Sequence, residues 1–306
     1  MKAIRLHQVV GPESLLYEGA TQPVPKDNQV LVRVYATAIT PTEFDWSTTF
    51  HTPEGGRRPF PIILGHEFSG VVEAVGSDGM GVEVGDRIYG LSDWFIDGAQ
   101  AEYCLTVPAS IAPKPVTLEH AQAAAVPISA LTAWQALIDH AHLSPGQRVL
   151  IHGAAGGVGS FAVQLARYQR AYVIATASAK NTEFVKALGA NEVIDYTITP
   201  FETVVEDVDV VLDTVGGETR KRSWGVLRKG GRLVTIAADA EGSKEQRVHD
   251  AFFIVESNRK QLVDISRLID AGVLRPVIGA VFSMENVRQA YEQKPVRGKN
   301  VLRIAE

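Results

Sequence analysis

Residues 148–170 have the sequence RVLIHGAAGGVGSFAVQLARYQR. The apolar run Val149-Leu150-Ile151 predicts a short buried strand, and the apolar pattern from Phe161 onward predicts a helix. A glycine-rich turn lies between them. A strand that passes through such a turn into a helix is typical of phosphate-binding βαβ units, because the backbone N–H groups at the helix N-terminus face the anion.

The glycine loop provides the predicted pyrophosphate contacts, which are Ala155, Gly156, Gly157, Val158 and Gly159. Gly156 would let backbone N–H groups approach the phosphates, and Gly159 would let the helix pack closely on the strand. The usual fingerprint has one more glycine, at the position of Ala154. The alternative is a tight strand-to-helix turn that binds no ligand.

Strands and helices alternate on the C-terminal side of this loop. The predicted strands are 172–176, 192–195, 208–213 and 232–237, and the predicted helices are 157–170, 180–188 and 201–205. Such alternation is typical of a parallel sheet wrapped by helices, and the continuous apolar strands suit burial on both faces. We predict an α/β fold with a doubly wound parallel sheet over residues 121–271.

The two ends of the chain have a different pattern. Residues 29–36, 69–76 and 101–107 alternate between apolar and polar residues, and Gly and Pro interrupt the segments between them. After a predicted helix at 257–271, residues 277–282 and 300–304 return to strand-like sequence. We therefore predict a second, antiparallel and barrel-like domain, formed by residues 1–120 and 272–306.

Composition excludes several classes of protein. Hydrophobic residues make up 45% of the 306 residues and charged residues 21%, which is typical of a globular protein. Thirty basic residues against 35 acidic ones give a net charge of −5, which disfavours nucleic acid as a partner. Basic pairs such as Arg57-Arg58 are the alternative, a nucleic-acid patch, but they are scattered among acids and suit solvated faces better.

The sequence also indicates a location. Cys104 is the only cysteine, so an intrachain disulfide and a four-thiolate zinc site are both excluded. The charged N-terminus lacks the apolar core of a signal peptide, and the most apolar window, 121–138, is too polar to be a membrane span. We expect a cytoplasmic protein that has no membrane partner.

The second strand of the βαβ unit indicates the cofactor. An NAD site usually has an acid about 20 residues past the glycines, which binds the ribose 2′-hydroxyl. Here the strand ends in Ala175-Thr176-Ala177-Ser178-Ala179-Lys180. Ser178 and Lys180 could instead hydrogen-bond and pair with a 2′-phosphate, which favours NADPH. The alternative for Lys180 is a solvated residue in the first turn of a helix.

These motifs and several others resemble a known family. LGHEFSGVV at 64–72, VGDRI at 84–88, DTVGG at 213–217 and RGK at 297–299 stand in the same order as the glycine loop and the LTA at 131–133. The chain resembles the zinc-independent quinone oxidoreductases, a zeta-crystallin-like group of the medium-chain dehydrogenase/reductases that also contains enone and alkenal reductases.

The resemblance implies a GroES-like barrel, a Rossmann cofactor domain and an active site in the cleft between them. It places Tyr196 at the 2′-phosphate and Thr132 near the nicotinamide. It further implies cofactor contacts from Val215, Gly216, Ile236, Ala237, Phe253 and Lys299. For Phe253, which follows Phe252, packing in the core is an equal alternative.

The resemblance also bears on metal. Zinc-dependent relatives have a cysteine in the loop that is written here 37–43, then a His-Glu pair, then a later thiol. This chain has Thr40 in the loop, keeps His66-Glu67 and has no thiol at 125–128, so we expect no metal. We expect His66 and Glu67 to be a structural pair, Cys104 to be a core residue, and Glu43 to be solvated.

Without zinc, reduction of a conjugated carbonyl is less demanding than oxidation of an alcohol. We therefore expect an NADPH-dependent oxidoreductase that reduces small quinones or α,β-unsaturated carbonyls by hydride transfer, with Thr40 as the substrate-facing donor. The resemblance implies a homodimer. The alternative is a non-catalytic NADPH-binding sensor or a structural protein.

Overall fold

The computed structural model describes residues 1–9, 11–77 and 81–305. The chain divides into two compact units. Unit 1 comprises Met1–Ile128, Ser257–Gly272 and Pro276–Glu306, and unit 2 comprises Ser129–Glu256 and Val273–Arg275. Each unit is described by itself below.

The strands, in chain order, are β1 (Lys2–Leu6), β2 (Leu15–Gly19), β3 (Val30–Ala38), β4 (Ile62–Ile63), β5 (Glu67–Val75), β6 (Arg87–Leu91), β7 (Tyr103–Thr106), β8 (Ile111–Pro113), β9 (Arg148–Ile151), β10 (Tyr172–Ala177), β11 (Glu192–Asp195), β12 (Val208–Asp213), β13 (Leu227–Thr235), β14 (Ile278–Ser283) and β15 (Lys299–Arg303). The α-helices are α1 (Ser47–Phe50), α2 (His120–Ala124), α3 (Pro127–Trp134), α4 (Gly157–Tyr168), α5 (Thr182–Leu188), α6 (Gly217–Ser223), α7 (Gln246–Ala251), α8 (Arg259–Asp270) and α9 (Val287–Glu292).

Unit 2 contains the parallel sheet. Its strands lie in the order β11-β10-β9-β12-β13, and every pair in the sheet is parallel. A buried apolar cluster covers it and includes Leu150, Ile174, Val211 and Leu233. The predicted doubly wound α/β sheet is confirmed, although the predicted helix at 201–205 is only a short 3-10 turn, Phe201–Thr203.

Unit 1 contains the antiparallel part of the fold. Its larger sheet has the order β14-β15-β3-β5-β6-β8, with β7 also paired to β3, and β2-β1-β4 form a smaller sheet. β15 pairs antiparallel with β3, so the end of the chain completes the sheet that its first third begins. β14 and β15 are parallel to each other. Cys104 is buried in this unit, as expected of a core residue.

The contacts place two segments in unit 1 that the sequence had suggested for the sheet domain. In α2 and just after it, Ala124 and Ala125 pack on Ala36 and Ala38 of β3. In α8, Leu262 is fully buried, and its carbonyl accepts a hydrogen bond of 2.6 Å from the Tyr89 hydroxyl. The contacts of α2 and α8 therefore assign both helices to unit 1, although their helical sequence pattern had predicted domain boundaries at 120/121 and 271/272.

Candidate functional site

The glycine loop forms the turn between β9 and α4. Gly156 is the N-cap of α4 and is exposed, and among the described residues no side chain caps the helix there. The first N–H groups of a helix lack intrahelical partners, so this end of α4 suits an anion. Gly159 is buried, and a Cβ atom there would overlap the Gly153 carbonyl oxygen. Only glycine therefore lets α4 approach the turn this closely.

The carboxyl ends of the central strands meet at this loop. The chain order of the strands reverses between β9 and β12, and open α/β sheets bind ligands at such a switch point. The Ala154 N–H donates to the Thr176 carbonyl at the end of β10, at 3.2 Å. The Thr214 hydroxyl, just past β12, donates to the His152 carbonyl at 2.9 Å. Hydrogen bonds thus fix the loop to both neighbouring strands.

Asp213 shapes the turn after β12, a role the sequence analysis did not assign. Its side chain is fully buried, and Oδ1 accepts from the N–H groups of Val215 at 3.0 Å and Gly216 at 2.9 Å. Oδ2 accepts from the Thr235 hydroxyl at 2.8 Å, and the Ile236 N–H donates to the Asp213 carbonyl at 3.1 Å. Through its carboxylate and its carbonyl, Asp213 therefore holds the segment 215–216 and the start of 236–237 at the same sheet edge.

The predicted 2′-phosphate residues lie at the ends of β10 and β11. Ala177 and Asp195, the last residues of these strands, are register partners, so Ser178 and Tyr196 follow them side by side. The Tyr196 N–H donates to the Ala177 carbonyl at 3.3 Å, and the Tyr196 side chain is 61% exposed. Lys180 is also exposed. The sheet thus brings Ser178, Lys180 and Tyr196 to one accessible corner.

Asp195 is an acid at this corner that the sequence analysis did not consider. Hydrogen bonds to its carboxylate from the Thr197 hydroxyl, the Thr197 N–H and the Ala179 N–H lower the pKa of Asp195 and keep it ionised. Its negative charge opposes a phosphate at the same corner, while these donors partly offset it. The signal that could have found Asp195 is its place next to Tyr196.

Thr132 and Phe253 also belong to unit 2. Thr132 is buried in α3, with 4% of its surface exposed. The Phe253 ring is half-buried and packs on the His140 ring, with 4.3 Å between ring centroids. Phe253 therefore has a packing partner in unit 2.

Unit 1 contains a buried polar network around Lys299, whose side chain is 9% exposed. The Lys299 ammonium donates to the Thr40 hydroxyl at 2.8 Å and forms an ion pair with the Glu67 carboxylate. Glu67 is completely buried, and its other oxygen accepts from the Ile128 N–H at 2.9 Å. Thr40 and Lys299, predicted for different roles, are therefore direct neighbours.

Glu43 and His66 form a second part of the network, and the expectation that Glu43 is solvated is wrong. The 3-10 turn Pro41–Asp45 directs Glu43 inward, where it is 1% exposed and accepts from the Gly65 N–H at 2.7 Å. Gly65 has a φ of +87°, which favours glycine. Burial raises the pKa of Glu43 to about 7 and lowers the pKa of His66 to about 3.

His66 and Glu67 are both hydrogen-bonded within unit 1, but through separate partners. His66 Nδ1 lies 3.2 Å from the Ser92 hydroxyl, and His66 Nε2 lies 3.4 Å from Glu43 Oε1. Glu67 is paired with Lys299. Both residues are thus engaged within unit 1, but each with its own partners and not with each other.

Comparison with known proteins assigns a family to each end of the chain. Residues 26–126 match the family described as "Alcohol dehydrogenase GroES-like domain", and residues 188–302 match the family described as "Zinc-binding dehydrogenase". The first match covers most of the strands of unit 1. The second begins at the end of α5 and extends into β15.

Three individual proteins are similar over most of their length. The mitochondrial NAD(P)H oxidoreductase RTN4IP1 of Danio rerio is 31% identical over 91% of this chain and 84% of its own. The 2-methylene-furan-3-one reductase of Solanum lycopersicum is 34% identical over 87% of this chain and 68% of its own. The structure of the quinone oxidoreductase from Coxiella burnetii superposes with a TM-score of 0.90 at 30% identity and covers 99% of both chains.

The second family is described as zinc-binding, so the question arises whether the side chains of this chain could hold zinc. The Lys299 ammonium contacts the Thr40 hydroxyl. Thr40 stands at the loop position where zinc-dependent relatives have a thiolate. Throughout residues 1–9, 11–77 and 81–305, no group of three or more His, Cys, Asp and Glu side chains is arranged to hold a metal ion. The residues present therefore do not fit a catalytic zinc. The same ranges contain no helix of the length and apolarity that a membrane span requires.

The raised pKa of Glu43 makes stability depend on pH. The pKa of this carboxyl is about 7 in the folded protein against an ordinary value of 4.5, so the folded state holds its proton more tightly. This contribution to stability is complete below pH 4.5 and is lost as pH rises through 7. Relative to Glu43→Gln, the wild-type free energy of unfolding should fall by about 3 kcal/mol between pH 5 and 8. Urea titrations across this range measure it.

The lowered pKa of His66 acts in the opposite direction, since its contribution is lost as pH falls from 6.5 towards 3. This contribution of His66 is present in both the wild type and Glu43→Gln, so it cancels when their free energies of unfolding are subtracted. Glu73→Gln, on an exposed position of β5, is the matched control and should track the wild type. Parallel curves for wild type and Glu43→Gln would show that this carboxyl is ionised throughout.

Proposed function

The chain belongs to the quinone oxidoreductase-like group of the medium-chain dehydrogenase/reductase family, and from this we propose that it is an NADPH-dependent reductase of small quinones or α,β-unsaturated carbonyls. The observation that carries the proposal is the uncapped, exposed N-terminus of α4 at the switch point of the parallel sheet. The names of the three relatives support the reaction class.

Unit 2 is the proposed cofactor-binding part. The first turn of α4, with Gly156 at its start, would hold the pyrophosphate, and the segments 215–216 and 236–237 would line the same sheet edge. Thr132 and Phe253 are further proposed contacts, whereas Lys299, which the resemblance placed at the cofactor, lies in unit 1 and is engaged by Thr40 and Glu67. The residues present fit a dinucleotide, because the loop leaves backbone N–H groups accessible and has no side chain at Gly156 that would exclude a phosphate.

The preference for NADPH is proposed on charge. Lys180, Ser178 and Tyr196 provide one cation and two hydroxyl groups at the corner where a 2′-phosphate would lie. Asp195 opposes the phosphate, but its oxygens are already engaged with Thr197 and Ala179. A charge-assisted hydrogen bond to phosphate outweighs such a partly neutralised carboxylate, so the balance favours NADPH.

The reaction requires little from the protein besides positioning. Bound NADPH supplies a hydride, and the proton that completes the reduction comes from solvent. Thr40 is half-buried in unit 1 and is the proposed hydrogen-bond donor to the substrate oxygen, where negative charge develops. The aromatic side chains of unit 1 near this loop, Trp46, Phe50 and Phe60, suit a flat apolar substrate. We also propose a homodimer, on the resemblance described above, and a cytoplasmic location, on the sequence features described above.

The cofactor preference provides the first test. NADPH should bind about tenfold to a hundredfold more tightly than NADH, since one charge-assisted phosphate contact contributes about 1.5 to 3 kcal/mol. Lys180→Ala should weaken NADPH binding about tenfold and leave NADH binding unchanged. Fluorescence titration measures both. Lys186→Ala is the control, because Lys186 is an exposed lysine of α5 that is paired with Glu183. Equal affinities of the wild type for NADPH and NADH would argue against the assignment.

Metal removal provides the second test. Prolonged dialysis against EDTA should leave cofactor affinity and turnover unchanged, because Thr40 stands at the position of the loop cysteine and residues 125–128 contain no thiol. Elemental analysis before and after dialysis accompanies the assay. Stoichiometric zinc, lost together with turnover, would contradict the proposal.

The function itself is tested by turnover and by Gly156→Asp. The wild type should consume NADPH steadily with 1,4-benzoquinone or but-3-en-2-one. Gly156→Asp should abolish binding, because the carboxylate would repel the pyrophosphate at about 4 Å, costing several kcal/mol in a partly desolvated site. A Cβ atom there meets only the Gly153 carbonyl, at 3.3 Å, so the fold should lose no more than about 1 to 2 kcal/mol.

Gly225→Asp is the matched control, because Gly225 is exposed in the same unit and a Cβ atom there meets nothing within 4 Å. It should bind and turn over NADPH like the wild type. Normal Michaelis constants in Gly156→Asp would show that the pyrophosphate does not lie on this loop.

A further inference from the structure

Thr40 and Lys299 are linked in a way that neither predicted role requires. The backbone fixes their separation, since Val301 pairs with Ala38 and the Ile39 N–H donates to the Asn300 carbonyl at 2.8 Å. The Lys299 ammonium then reaches the Thr40 hydroxyl at 2.8 Å. The contact is therefore built into the sheet and does not depend on a flexible loop.

The direction of this hydrogen bond determines what Thr40 can do. An ammonium has only donors, so Thr40 Oγ1 must be the acceptor, and the Thr40 O–H is directed away from Lys299. Among the described residues, the Thr40 side chain does not cap the 3-10 turn that follows it. A hydroxyl that accepts from a cation is also a stronger donor, because the hydrogen bonds polarise each other.

Glu67 explains why the ammonium stays in this place. It is fully buried and contacts the same ammonium as Thr40 does, with its second oxygen engaged by the Ile128 N–H. A buried carboxylate without a cation is costly, so the pair holds the Lys299 side chain in position. The order of contacts is Glu67, Lys299, Thr40.

We propose that Lys299, held by Glu67, is a positioning residue that aims and polarises the Thr40 hydroxyl as the donor to the carbonyl oxygen of the substrate. This inference rests on the proposed function and deepens it. When the alkene carbon accepts the hydride, the C=C electron pair moves towards the carbonyl and the charge reaches oxygen. Thr40 donates a hydrogen bond to that oxygen, and a solvent proton neutralises the product, so no bond to Thr40 or Lys299 forms or breaks.

The test is a double-mutant cycle with but-3-en-2-one and NADPH at saturation. Thr40→Val should lower kcat about 100-fold, as loss of one oxyanion donor does. Lys299→Met should lower kcat about tenfold or more, and the double variant should be no slower than Thr40→Val, because Lys299 acts through that hydroxyl. Thr40→Ser, which keeps the hydroxyl, should recover most of the rate. NADPH affinity should be unchanged in all of them.

Two further variants keep the result interpretable if Lys299→Met leaves Glu67 uncompensated and fails to fold. Glu67→Gln/Lys299→Met removes both charges together, and Lys299→Arg keeps the cation. The first should show the slow kcat of Lys299→Met with a normal melting temperature. Thr117→Val and Lys114→Met are matched controls in unit 1, where both side chains donate to other partners, and should behave like the wild type.

The outcomes separate this inference from the proposed function. A wild type that reduces neither 1,4-benzoquinone nor but-3-en-2-one would overturn both. An active wild type with an unaffected Thr40→Val, or rate losses that multiply in the double variant, would overturn the inference alone. A Lys299→Met protein with weakened NADPH binding and normal kcat at saturation would also overturn it and would make Lys299 a cofactor contact.

Discussion

Glu67 has none of its surface exposed, so its charge has to be met inside the protein. Its partners are Lys299, 232 residues away in sequence, and the Ile128 N–H, 61 residues away. Satisfying one carboxylate thus joins the start of β5, the start of α3 and the start of β15. Unit 1 cannot form from the first third of the chain alone, since the cation that Glu67 requires lies near the other end.

The same pairing determines what chemistry the site can support. A dication would need several anionic or neutral ligands, whereas an ammonium needs one carboxylate and offers N–H donors in return. Lys299 therefore makes the region around Thr40 a hydrogen-bonding site. The positive charge of Lys299 is balanced there by the carboxylate of Glu67. Such a site stabilises charge that develops on an oxygen but cannot act as a Lewis acid. Reduction of a conjugated carbonyl is compatible with this limit, and alcohol oxidation is more demanding.

The sequence was informative where the determining interactions are local. The glycine loop and the strands of unit 2 follow from residues adjacent in the chain, and the predicted 192–195 and 208–213 coincide with β11 and β12. Burial of Glu43, the pairing of Glu67 with Lys299 and the grouping of α8 with unit 1 depend on residues far apart in sequence. An isolated Glu in a polar loop resembles a solvated one, because nothing nearby reveals the Gly65 N–H that it meets. Asp195 differs from these, since its position next to Tyr196 and its hydrogen bonds to Thr197 are local in sequence.

A thiol at position 40 would not by itself restore a zinc site in this chain. The segment 125–128 still lacks a sulfur ligand, and His66 is the only remaining residue of the expected set with a suitable nitrogen. The Lys299 ammonium would then face the new thiolate and compete with a metal for it, while Glu67 keeps that ammonium in place. Because these residues support one another, a change of chemistry requires several substitutions together. The fold alone therefore does not fix the reaction, which in the proposed mechanism depends on how Thr40, Lys299 and Glu67 are matched.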